Sequence, residues 1–292
     1  MKSNSYKAFL AVLILSIIWG ANTPLIKFSL KVIPPFTFVF IRFFLAFILI
    51  LPIFLRSKPK FKKQDLQLVS LSLLATFNIV LFVLGVRLTL ASVGQAIYSF
   101  QPIVVTIISY FILKERFKIK KILGVIIGFI GVNLVVSLPF LENHISKTAF
   151  FGNLMIFIAC LNYSYYVVLS KKFSQKYSPL WLTIAFFFTT MIVSLFLSFF
   201  ELRLINVWSG NISASIIWAI IYTVIMGTIL AFFFQQYVIK IGSPLIASLN
   251  QYITPAVTIV FSSIILGEKF SLFLIFGTVV TLFGAWMATR ES

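Results

Sequence analysis

Cysteine and histidine each occur once in the 292 residues, as Cys160 and His144. A lone cysteine closes no internal disulfide, and no Cys or His group has metal-ligand spacing, so redox and metal chemistry are not expected and no cofactor is implied. Acids are scarce too: six, against 24 lysines and arginines, for a net charge of +18. In a water-soluble protein that imbalance would point to nucleic acid. Here the basic residues lie between long apolar runs, which is how charge sets membrane orientation, and no nucleic-acid partner is expected. Polar stretches are short as well. The longest connection between apolar runs, 200–212, is too short to bury a core of its own. With no Ser/His pair, paired acids or metal ligands inside a span, an intramembrane enzyme is not expected.

What the chain does have is apolar length. Hydrophobic side chains make up 61% of it, charged ones 10%, and the mean hydropathy is +1.09. A spanning helix needs about 20 mostly apolar residues. Ten such runs are read, at 8–28, 35–55, 67–86, 92–113, 119–138, 149–170, 179–199, 213–239, 243–266 and 271–289. Barrel strands would instead show as segments of about ten residues with alternating polarity. The first run, preceded by Lys2 and Lys7, could be a signal peptide; its span length and the lack of a small-residue cleavage site favour a first helix. With the N-terminus in the cytoplasm, that side collects 17 lysines and arginines, the other side 6, and Arg42 falls inside a span. Both termini are therefore expected to be cytoplasmic.

The chain repeats internally. Shifted by 153 residues, positions 102–131 meet 255–284 with 10 identities, among them Pro102 with Pro255, Glu115 with Glu268, Gly124 with Gly277 and Gly131 with Gly284. Earlier in each half a shift of 144 pairs Trp19 with Tyr163, Lys27 with Lys171 and Pro35 with Pro179. Five helices per half is an odd number, so the second half, 141–292, must enter the bilayer opposite to the first, 1–140. Inverted repeats enclose a site near the midplane and permit alternating access.

Polar residues inside the spans are the candidate site. Pro102 and Pro255 are expected to kink helices four and nine, each preceded by polar neighbours: Gln95, Tyr98 and Gln101 in one half, Asn250, Gln251, Tyr252 and Thr254 in the other. Helices one and six add Trp19, Asn22 and Pro24, and Asn162, Tyr163, Tyr165 and Tyr166. Helix three adds Asn78. Each of these fits either a cavity lining or interhelical hydrogen bonding. Gln235 and Gln236 are expected to reach water at the end of helix eight. Arg42 is costly within a bilayer, and substrate contact, gating and a structural role all suit it; Phe186 stands at its place in the second half. Lys27 is expected at the interface. No buried carboxylate is read from Asp65, Glu115, Glu142, Glu201, Glu268 or Glu291, so facilitated or weakly coupled transport of a zwitterionic, neutral or mildly anionic solute is expected. Gly124, Gly128 and Gly131 with Gly277 and Gly284 form small-residue stripes, which suit packing of helix five on helix ten or formation of a dimer.

Trp19-Gly20-Ala21-Asn22 with Lys27, the stretch from Pro35 to Arg42, and the two copies of Pro followed by Glu-Arg-Phe at 115–117 or Gly-Glu-Lys-Phe at 267–270, each before a glycine-striped helix, resemble the EamA-type family of the drug/metabolite transporter superfamily. The resemblance covers both halves. It implies an all-α polytopic membrane protein of ten transmembrane helices in two inverted five-helix repeats. It implies a central cavity lined by helices one, three, four, six, eight and nine, and frequently export of amino acids or other metabolites across a bacterial inner membrane. By position it supports Trp19, Asn22, Tyr98, Gln101, Tyr163, Tyr166, Asn250 and Gln251 as substrate-binding candidates beside Arg42 and Asn78. Tyr163 and Ser164 stand where a Trp-Gly-like pair would, and no arginine mirrors Arg42. The related four-helix drug exporters carry a membrane carboxylate in their first helix, which this chain lacks. The expected partners are a small-molecule solute and membrane lipid, with the protein a monomer or homodimer. An importer of a nutrient or cofactor precursor, and a passive channel, are the alternatives.

Overall fold

The computed structural model describes residues 2–58, 62–114, 119–136, 147–204 and 212–289. Glu115, Glu142, His144 and Glu291 lie outside the described residues. Ten helical elements run in order: α1 (Lys2–Ser29), α2 (Pro35–Arg56), α3 (Gln67–Leu88), α4 (Ala91–Leu113), α5 (Ile119–Val136), α6 (Lys147–Phe173), α7 (Pro179–Leu204), α8 (Ala214–Ile241), α9 (Pro244–Leu266) and α10 (Leu272–Thr289). Eight are long and apolar enough to cross a membrane, while α5 and α10 carry shorter apolar stretches, Leu123–Val135 and Leu272–Met287. The outer face is apolar: Leu272, Ile264, Phe111 and Trp218 are 84%, 76%, 73% and 69% exposed. Side chains of that kind are stable outward only against lipid.

The main helix pairings recur when each helix is exchanged for the one five places along. Helix α2 packs on α7 and α5 on α10; α3 packs on α6 as α8 does on α1; α1 packs on α9 as α6 does on α4. The protein is thus an all-α polytopic membrane protein built of two inverted five-helix repeats. Glycine sets the α5–α10 distance: a Cβ at Gly284 would fall 2.2 Å from the backbone nitrogen of Gly128 and 2.7 Å from the carbonyl oxygen of Gly124. Small residues let helix backbones approach this closely without steric conflict.

The two prolines act differently from the expected mid-helix kink. Helix α4 stops at Tyr98 and restarts at Gln101, and α9 passes from Pro244–Ser248 through a 3₁₀ turn, Leu249–Tyr252, before restarting at Thr254. Pro102 and Pro255 sit in the first turn of the restarted segments. A proline there lacks an N–H that would be unpartnered in any case, so it starts a helix at little cost. Each restarted segment also ends alike, with Lys114 or Gly267 in the left-handed conformation at φ 57 and φ 67. The third irregularity is in α8, where Ile225–Leu230 widens to a π-helix. Such segments release backbone carbonyls from the regular ladder and frequently mark functional sites.

Candidate functional site

Charged residues at the span ends tie the helices that position the site. Glu268, just past α9, reaches the N-terminus of α4: Ala91 N donates to Oε1 at 2.8 Å, and Ser92 N and Ser92 Oγ donate to Oε2 at 3.2 and 2.7 Å. Lys27 Nζ, at the end of α1, donates to the same Oε1 at 3.3 Å and to the Thr89 carbonyl at the end of α3. Glu201 likewise accepts from Phe36 N, Thr37 N and Thr37 Oγ1 at the N-terminus of α2. Lys171, the counterpart of Lys27, donates to the carbonyls of Ile239, Lys240 and Gly242 at the end of α8. Each charge meets the helix end of opposite sign, which favours it. One expectation is corrected here. Glu201 and Glu268 are buried carboxylates, 6% and 8% exposed, because helix N-termini replace the water they lose. Lys27, at the end of its span, is held by an ion pair.

A cavity lies between the repeats, beyond the Lys27–Glu268 pair. Its lining comes from α1 (Trp19, Asn22, Thr23, Ile26), α2 (Arg42), α3 (Asn78, Ile79, Phe82), α4 (Gln95, Tyr98), α6 (Tyr163), α8 (Phe232) and α9 (Gln251). Four residues, roughly 6 Å along α1, separate Thr23 in the wall from Lys27 in the ion pair. The π-helix supplies the cavity's anchor. Gly227 O accepts from Arg42 Nη2 at 3.0 Å and Trp19 Nε1 at 3.3 Å, while Arg42 Nε donates to Thr228 Oγ1 at 2.5 Å. Arg42 is 2% exposed, and among the described residues no carboxylate lies within ion-pair distance of it. Opposite, Asn78 Nδ2 donates to Tyr98 OH and to Ala159 O, fixing the tyrosine ring, and Tyr98 in turn meets Phe82 edge to face at 5.2 Å. Phe232 and Tyr163 each meet Trp19 edge to face, at 5.5 and 6.2 Å. Asn22 Oδ1, Gln251 Oε1 and the Tyr163 hydroxyl are buried with no hydrogen-bond partner. Unpartnered buried polar atoms are costly, and water or a ligand can complete them.

Seven residues singled out from sequence meet in this wall: Trp19, Asn22, Arg42, Asn78, Tyr98, Tyr163 and Gln251. Gln101, Tyr166 and Asn250 are buried outside it; Gln101 and Asn250 have both amide ends unpartnered, and Tyr166 OH accepts from Gln236 Nε2 at 2.8 Å. Gln235 and Gln236 are 0% and 1% exposed, so the expectation that they reach water is corrected: α8 turns them inward, and Tyr166 and Ser170 receive Gln236. Tyr165, 42% exposed, faces outward, and Asn162 is half-buried and bonded to Ile158 O. Sequence reading missed Thr23, Ile26, Ile79, Phe82 and Phe232, which are ordinary apolar or small residues with no local signal. Gln95, offered from sequence as cavity lining or interhelical packing, is also in the wall.

Ten apolar helices in two inverted repeats around a buried polar pocket define a membrane-transport fold. The chain belongs to the EamA-like transporter family, whose sequence profile matches residues 6–137 and again residues 150–290. It is similar to an uncharacterized transporter of Archaeoglobus fulgidus, 26% identical over 98% of this chain and 98% of that one. It is also similar to the uncharacterized transporter YvbV of Bacillus subtilis, 27% identical over 95% of this chain and 90% of its relative. A crystal structure 17% identical in sequence shares the fold with a TM-score of 0.66, covering 98% of this chain and 97% of the other. The protein is a multi-pass membrane transporter.

Proposed function

We propose that this transporter is a secondary carrier that exports a small polar metabolite, such as an amino acid, across the bacterial inner membrane with both termini in the cytoplasm. The observation that carries the reading is the chemistry of the cavity. A buried arginine without a carboxylate partner faces unpartnered amide and hydroxyl groups inside an aromatic wall. A solute carboxylate complements Arg42, its remaining polar atoms meet Asn22, Gln251 and Tyr163, and Trp19, Phe82 and Phe232 exclude water. Asn78 holds Tyr98 against the same solute. A zwitterionic or mildly anionic solute suits this set, as a permanent cation does not.

Movement follows from the repeats. Residues 1–140 and 141–292 rock against each other as two bodies, opening the cavity to each face in turn. The Lys27–Glu268–Ser92 cluster, which ties α1 and the end of α9 to α4, serves as the gate on one face. Gln101 and Asn250, beside the broken points of α4 and α9, join the lining when the repeats rearrange and gain the partners they lack here.

The test is counterflow in proteoliposomes preloaded with unlabelled amino acids. Labelled solute should enter transiently against its gradient, saturate, and depend on a free carboxylate. Flux that rises linearly with concentration and shows no counterflow would instead identify a channel.

A further inference from the structure

A second and larger cavity lies apart from the solute site. It opens sideways between α2 and α7, beneath the segment Lys62–Leu66 on the lysine-rich face. Phe47, Leu51 and Leu55 of α2 and Trp181, Ile184 and Phe188 of α7 form its walls. Nine residues separate Phe47 from Arg56 at the helix end, about 13 Å. That depth approaches half of the ~30 Å hydrocarbon core, the reach of one leaflet.

The mouth is a built feature. Tyr177 OH donates to Asp65 Oδ1 at 2.7 Å, and Lys62 N donates to Asp65 Oδ2 at 2.7 Å, which holds the Asp65 carboxyl below its usual range. The Tyr177 ring lies 5.9 Å from Trp181, which meets Phe54 edge to face at 4.9 Å. Both oxygens of the one acid at the mouth are therefore occupied. The exposed Lys62 and Lys63 remain, with Arg56 and Lys58 close by at the end of α2. Water does not favour an apolar groove of this size inside a bilayer, and a soluble anion has no use for its walls. An amphiphile with a negative head satisfies both halves.

We propose that this groove binds one anionic phospholipid, its acyl chain lying between α2 and α7 and its phosphate on Lys62 and Lys63. Helices α2 and α7 come from different repeats, so the lipid sits across their seam.

The test uses the full-length protein with phosphatidylglycerol or phosphatidylcholine in mixed micelles, read by native mass spectrometry and by thermal unfolding. Phosphatidylglycerol should be retained roughly 30-fold better at low salt, the preference two lysines near an anionic surface confer. It should also raise the melting temperature more than phosphatidylcholine. Lys62→Gln with Lys63→Gln should abolish that preference, whereas Lys240→Gln, outside the groove, should leave it intact. Ala185→Phe should lower retention of both lipids by filling the groove. Soluble glycerol phosphate at millimolar concentration should give no shift. Equal retention of the two lipids by the native protein, an unchanged preference in the double lysine variant, or a full effect from glycerol phosphate would each overturn the proposal.

Discussion

If the Glu268 cluster is the gate proposed above, changing Glu268 to glutamine should open that face of the transporter. Its carboxylate accepts from Ala91 N, Ser92 N, Ser92 Oγ and Lys27 Nζ, all donors, within 3.3 Å. An amide of the same shape presents one acceptor oxygen and turns an N–H₂ group toward the remaining donors. Two charge-assisted hydrogen bonds are lost and Lys27 keeps only the Thr89 carbonyl. Hydrogen bonds to charged groups contribute about 1.5–3 kcal/mol each, and water entering an opened face recovers part of that. A net shift of about 2–3 kcal/mol against the closed arrangement follows, or roughly 30- to 150-fold in its population relative to the open one. The assay uses Ile26, a cavity residue 1% exposed that directly precedes Lys27. With the single native cysteine replaced by Cys160→Ala, Ile26→Cys becomes the only thiol. An impermeant maleimide added on the Lys27 side should label it at least 30-fold faster in the Glu268→Gln background. Lys27→Met should have a similar effect, and the two together should be far less than additive, since they break one cluster. Unchanged labelling alongside a lower melting temperature would show that the cluster only fastens helices and that the gating reasoning is wrong.

Three further outcomes follow from the same geometry. Arg42→Gln should raise the KM for a carboxylate-bearing solute by about 10- to 150-fold, the loss of one charge-assisted contact, while Arg42→Lys retains part of the affinity. An equal loss for solutes with and without a carboxylate would assign Arg42 to holding the π-helix alone. Gly227→Ala places a Cβ 2.0 Å from Asn22 Oδ1, so it should displace that amide and reduce transport about tenfold at normal membrane abundance. In an Asn22→Ala background it should have no additional effect, and strictly multiplicative losses in flux assays would contradict this. Gly284→Ala drives a methyl group into the Gly128 backbone and should destabilise the fold by about 1–3 kcal/mol. Its signature is lower abundance and melting temperature with normal activity per molecule, and native-like melting would remove the close contact of α5 and α10.

The class of protein, the helix count and the repeat could all be read from the chain because each depends on local composition. Bilayer thickness fixes how long an apolar run must be, so ten runs give ten helices. A duplicated sequence keeps its scarce residues in register, as Pro102 with Pro255 and Gly131 with Gly284 do. The odd number of helices per half then dictates inversion. Glycine stripes were equally legible, since spacing along a helix is enough to place them on one face.

What the tertiary structure decided was convergence. Tyr163 faces the cavity and Tyr165 the exterior because each residue turns about 100° around the helix axis, and no apolar span reveals its own rotation. Glu268 meets Lys27 across 241 positions, and Arg42 meets Gly227 across 185. No local pattern encodes those distances. The carbonyl that Arg42 finds is available only because α8 widens at Ile225–Leu230, and that widening is stable only with neighbours to receive the released groups. Helix count followed from the solvent around the chain; the binding site followed from how the helices turn and pack, which is settled only when all ten are in place.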